Sequence, residues 1–149
     1  PRAFTAGDDL VARANMMSAA IMGATAFQKG LGAIHAMSHP IGAIYNTHHG
    51  TTNAVCMPAV LTLNAPKIRA RFDRAAPYLG IEGGFDGFCA FVQEFNDSFA
   101  IPRRLGEMGV DTNRIDALVD MALADPSCNG NPVKLSKANL RPVLEALIG

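Results

Sequence analysis

Apolar residues recur three and four positions apart along most of this chain, and the strand-like alternation of Val, Ile, Thr and aromatic residues is nearly absent. That pattern predicts helices throughout. Leu10, Ala14, Met17, Ile21, Ala24 and Phe27 define a helix over 8–27. Asp8 and Asp9 suit its N-terminus, where carboxylates meet the positive end of the helix dipole, and Gly30 is placed to stop it. A second helix begins near Gly32 and carries His35 and His39. A third is expected from Thr51 to Leu63, and a fourth from Asn64-Ala65-Pro66 to Tyr78, ahead of Gly80. Phe85, Phe88, Phe91, Val92, Phe95 and Phe99 form an aromatic stripe that reads as core, with Pro102 closing its helix. Asp111 or Thr112 caps the next helix, marked by Ile115, Leu118, Val119, Ala122 and Leu123 and closed by Asp125-Pro126. Asn129 to Pro132 reads as a loop, Ser136 as an N-cap, and Leu140 to Ile148 as the last helix. The expectation is one all-α, multi-helix domain over 1–149, without repeats or an interdomain linker.

The 149 residues are 49% hydrophobic, enough for a core that needs no disulfide or structural metal to hold it. Thirteen Lys and Arg balance 13 Asp and Glu. The one basic cluster, Lys67, Arg69, Arg71 and Arg74, is interrupted by Asp73, so nucleic acid and anionic membranes are excluded as partners. No unbroken apolar run approaches the roughly 18 to 20 residues that span a bilayer, the longest, 54–61, already holding Pro58. Cys56, Cys89 and Cys128 are far apart and form no C-x-x-C pair, which fits buried, reduced thiols in a cytoplasmic protein. The chain starts at Pro1 rather than Met, so a fragment or a processed product is expected.

Chemistry concentrates between 35 and 49, where all four histidines lie. His35 and His39, four apart on a helix, share a face and have a metal-binding spacing, because neutral imidazole is a common ligand for borderline metals. Ala36 stands where an H-E-x-x-H peptidase has its glutamate, so a zinc hydrolase would lack its general base. His49 follows His35 by 14 residues, about 21 Å along an unbroken helix. For the two to share one ion the chain must turn back. Pro40 and Gly42 weaken the helix, so it is expected to fail near Gly42, with Ala43–His48 folding back to present His49 to His35. His48 is the weakest candidate of the four, and Tyr45 reads as packing.

The run from Gly30 through His35-Ala36-Met37-Ser38-His39-Pro40 to Gly42, continued by Tyr45-Asn46-Thr47-His48-His49-Gly50 and Asn53-Ala54-Val55 to Pro58, closely resembles a signature of the iron-containing alcohol dehydrogenases. The helix around Asn15–Ala20 and the Asn131-Pro132 pair extend the resemblance over the whole chain. It implies the all-helical C-terminal domain of the dehydroquinate synthase-like fold, whose partner is an N-terminal α/β domain binding NAD(P) through a glycine-rich turn. That nucleotide-binding domain is absent here. The family's metal, iron with zinc as the alternative, takes one aspartate and three histidines. By position His35 and His49 match the last two of those histidines, and His39 matches the one that faces the nicotinamide and moves the proton. Two of four ligands are therefore expected on this chain. His48 stands where relatives have proline, and the stretch 27–30 is one residue shorter, so substrate preference does not transfer.

The resulting expectation is the metal-site half of an NAD(P)-dependent dehydrogenase acting on a small alcohol or aldehyde, inactive by itself and homo-oligomeric through its exposed apolar face. Two other readings compete with it. One is a self-standing helical protein binding a metal through His35, His39 and His49 without catalysis, and the other is a purely structural domain.

Overall fold

A computed structural model describes Pro1–Gly149. Seven α-helices follow one another without a strand: α1 (Arg2–Thr5), α2 (Leu10–Phe27), α3 (Ala33–Tyr45), α4 (His49–Ala75), α5 (Gly84–Asp97), α6 (Ile115–Ala124) and α7 (Lys137–Ile148). Short 3-10 turns join several of them. Contacts divide the chain into two compact units, Pro1–Gly30 and Leu31–Gly149.

In the first unit the Asp9 carboxylate caps α2 by accepting from the Ala12 amide at 2.9 Å. Gly30, at φ 102°, follows the helix end as expected. Helix α2 is apolar around its whole circumference: Leu10, Val11, Met17, Ile21 and Met22 are all exposed. Its 18 residues have a mean hydropathy of 1.2, long and apolar enough by length and composition to cross a bilayer. Counting unbroken apolar runs missed this, because Arg13, Asn15 and Ser18 interrupt the run without lowering the average far.

The second unit is built around α3, whose Ala33, Ala36, Met37 and Ile41 are fully buried. They pack with Cys56 of α4, Leu118 of α6, Leu140 and Leu144 of α7, and Leu105 from the loop between α5 and α6. This burial explains two departures from the sequence expectation. Helix α3 runs through Pro40 and Gly42 to Tyr45, because Pro40 removes one ladder bond while the buried face on both sides keeps the helix seated. Helix α4 continues through Pro58 and Pro66 for 27 residues, where two helices were expected. Asn64, expected at the boundary, is instead buried and exchanges hydrogen bonds with Asn131 at 2.8 and 2.9 Å.

A second cluster holds Leu61, Phe85 and Val92 against Phe72 and Phe88. The aromatic stripe of α5 is thus only partly core: Phe91 and Phe95 remain 44% and 45% exposed, because the helix leans on α4 along one edge of the stripe. Helix α6 ends at Asp125 and α7 starts from the Ser136–Asn139 capping box, both as the sequence indicated.

Candidate metal centre

The reversal that brings the histidines together takes three residues. Asn46 adopts a left-handed conformation (φ 54°) and its amide bonds the Gly42 carbonyl at 2.9 Å, closing α3. Thr52, fully buried in the first turn of α4, donates within 2.8–3.0 Å of Thr47 Oγ1 and the His48 carbonyl, which fastens the turn. The chain therefore folds back at 46–48 rather than from Gly42, because a left-handed asparagine ends a helix more readily than a buried proline breaks one.

The consequence is the one the spacing required. The ring centroids of His35 and His49 lie 5.3 Å apart, and that of His39 lies 5.7 Å from His35 and 5.5 Å from His49. His48 takes no part in this cluster. Its Nδ1 accepts from the Thr51 amide at 3.3 Å, making it the N-cap of α4. Tyr45 donates its hydroxyl to Asp111 at 3.0 Å, a packing tie as expected. Cys56 is fully buried, and burial pushes its thiol up to about 12, so it is no ligand.

Two residues complete the site that histidine spacing alone did not reveal. Asn53, one turn beyond His49, places its amide nitrogen 3.0 Å from His49 Nε2 and 3.4 Å from His35 Nε2. Its two N–H groups are thereby offered to both rings, whose Nε2 lone pairs converge on one point. Its Oδ1 is buried and lacks a hydrogen-bond partner. The second is Asp125, after α6, whose Oδ2 lies 2.7 Å from His39 Nδ1. Its Oδ1 accepts from the Ser127 amide at 2.8 Å. Burial raises the Asp125 carboxyl, but hydrogen bonds from His39 and Ser127 outweigh that and hold it below the usual carboxylate range. Burial, and then the neighbouring His49 and His39, push His35 below the ordinary imidazole value, which favours its neutral form.

Two converging imidazole nitrogens beside an unpartnered buried oxygen fit a divalent metal. They fit only part of one: no three His, Cys, Asp or Glu side chains of this chain are arranged to hold an ion. The self-standing metal protein binding through His35, His39 and His49 therefore loses its basis. His39 is bound to Asp125 through Nδ1, and its ring stacks on that of His49 at 13° between planes.

Residues 1–148 match the Fe-containing alcohol dehydrogenase family, C-terminal. The chain belongs to that family and constitutes its all-helical C-terminal domain. It is 40% identical to the 4-hydroxybutyrate dehydrogenase of Cupriavidus necator, over 97% of this chain and 40% of that protein. It is 34% identical to the NAD-dependent methanol dehydrogenase of Bacillus methanolicus, over 89% of this chain and 37% of that one. The crystal structure of a 1,3-propanediol oxidoreductase superimposes with a TM-score of 0.91 at 28% identity, covering 98% of this chain and 40% of the other. The chain thus spans about two fifths of the length of these relatives.

Proposed function

We propose that this chain is the metal-site half of an alcohol dehydrogenase that interconverts a small alcohol and its aldehyde with NAD(P). The convergence of His35 Nε2 and His49 Nε2 on one point carries the reading. With ligands from the nucleotide-binding domain, these two residues would hold a divalent ion, iron with zinc as the alternative, whose Lewis acidity favours ionisation of an alcohol hydroxyl. His39 faces the same space. Its Nδ1 is occupied by Asp125, so its Nε2 is the atom available to accept the hydroxyl proton, and a bound NAD(P) would supply the acceptor for the carbon-bound hydride. The names of the relatives, which include 4-hydroxybutyrate, methanol and 1,3-propanediol, support a small alcohol as substrate. Three unpaired thiols support a reducing, cytoplasmic setting.

The test is an anaerobic titration of the chain with Fe²⁺ and with Zn²⁺. Weak binding is expected, lost in His35→Ala and in His49→Ala, because each removes one of only two ligands. Tight stoichiometric binding by the 149 residues alone would overturn the half-site reading.

Helix α2, apolar all round, belongs against protein. Alone, the chain should cover it with a second copy. Light scattering is expected to give a dimer or larger species, reduced in size by Ile21→Glu. A strict monomer at high concentration excludes this association.

A further inference from the structure

We infer that Asp125 is a positioning residue that fixes which nitrogen of His39 carries the proton. The inference deepens the reading of His39 given above. Asp125 lies 86 positions from His39 in sequence, yet its Oδ2 sits 2.7 Å from His39 Nδ1. An ionised carboxylate only accepts hydrogen bonds, so Nδ1 must carry a hydrogen and Nε2 must be the bare nitrogen of the neutral ring. The carboxylate cannot turn away, because its other oxygen, Oδ1, accepts from the Ser127 amide at 2.8 Å and caps the 3-10 turn Pro126–Gly130. A backbone N–H donates and never accepts, so an oxygen is required on that side. The orientation of the group facing His39 follows. Asp125 is thus held at one end by the backbone and fixes the imidazole at the other. Without it both tautomers of His39 would be populated, and only a fraction of molecules would present a proton acceptor at Nε2.

Asp125→Asn separates this role from a structural one. The asparagine oxygen must stay on the Ser127 amide, so its NH₂ is turned toward His39 and donates to Nδ1. The tautomer is then inverted while the cap survives. Asp125→Ser keeps a good cap but is too short to reach the ring, and should leave a mixture. The measurement is the ¹⁵N spectrum of the histidine ring nitrogens in the metal-free chain, in alkaline buffer where the imidazoles are neutral. In the wild type the unprotonated resonance of His39 is expected at Nε2. It should move to Nδ1 in Asp125→Asn and be split between both in Asp125→Ser, with the backbone amide spectrum of α6 and α7 unchanged. A wild-type ring protonated at Nε2 overturns the inference whether or not the variants fold, and so does a folded Asp125→Asn that retains the wild-type tautomer. Because the readout is taken without metal, the result is independent of the titration that tests the half-site. Restored to a full-length dehydrogenase, Asp125→Asn should lower kcat by about 10²-fold, the lower range of a general acid–base contribution, with KM little changed.

Discussion

Asn53→Asp is expected to tighten Zn²⁺ binding by this chain about 10²-fold. Ligand atoms about 2.1 Å from a tetrahedral ion lie about 3.4 Å from one another. The amide nitrogen of Asn53 sits 3.4 Å from His35 Nε2 and 3.0 Å from His49 Nε2, near those edge lengths. It therefore stands close to a third vertex of a tetrahedron whose first two vertices are the imidazole nitrogens. An amide NH₂ at that vertex donates hydrogen bonds and cannot ligate. A carboxylate oxygen there would add both a ligand and a negative charge, making a two-histidine, one-carboxylate set. A factor of 10² corresponds to about 2.7 kcal/mol, modest for one added ligand, because the introduced charge is partly desolvated in the metal-free chain. The double variant Asn53→Asp with His35→Ala should fall back to weak binding. Asn53→Ala should bind no more tightly than a few-fold above wild type, since it frees the two lone pairs without supplying a ligand. Calorimetric titration decides the matter, with the intensity of Co²⁺ absorption reporting the coordination number. Equal affinities for Asn53→Asp and wild type would place the vertex elsewhere.

The contrast between His49 and Asp125 shows how much of this site the sequence could disclose. His35, His39 and His49 were legible because their chemistry is rare and their spacing has one geometric solution. A helix carries 35 and 39 on one face, and only a reversal returns 49 to them. The place of the reversal was less legible. Pro40 and Gly42 are the local helix breakers, but Met37 and Ile41 are fully buried and hold α3 through them to Asn46. Local propensity gave way to packing, which a single sequence does not display. The same reason hid the continuity of α4 across Asn64-Ala65-Pro66, where a polar residue that suggests a cap is buried against Asn131, 67 positions away. Asp125 was visible only as the residue that closes α6. No spacing rule links it to His39, since their meeting depends on how α6 packs against α3. Asn53 lay inside the recognised signature, four residues after His49, and its place on the histidine face of α4 could have been read from that interval. The helices were therefore legible in kind, and their ends were legible wherever a cap decides them, as at Asp9 and Ser136.

Gly130→Ala is expected to cost about 3 to 5 kcal/mol and to lower the melting temperature by about 10 °C. A Cβ built at Gly130 would overlap the carbonyl oxygen of Leu31, a backbone atom that cannot swing aside as a flexible side chain can. Leu31 lies just ahead of α3, and this helix has no side-chain cap of its own. Its Ala33 amide instead bonds Asn131 Oδ1 at 3.1 Å, across 98 positions of sequence. The segment from Asp125 to Asn131 thus grips α3 twice, at its first amide and at His39. Forcing Gly130 away from Leu31 loosens both grips, so the overpacking cost is joined by the cost of buried groups left unpaired. Gly42→Ala provides the control. It lies inside α3, where its nearest neighbour would be the Thr47 carbonyl at 3.8 Å, an ordinary contact. Alanine there should stabilise the helix by about 0.5 to 1 kcal/mol. Thermal unfolding followed by circular dichroism separates the two substitutions in sign. An unshifted transition in Gly130→Ala would mean that the loop does not bear on α3 as closely as the structure shows, and that His39 is positioned by α3 alone.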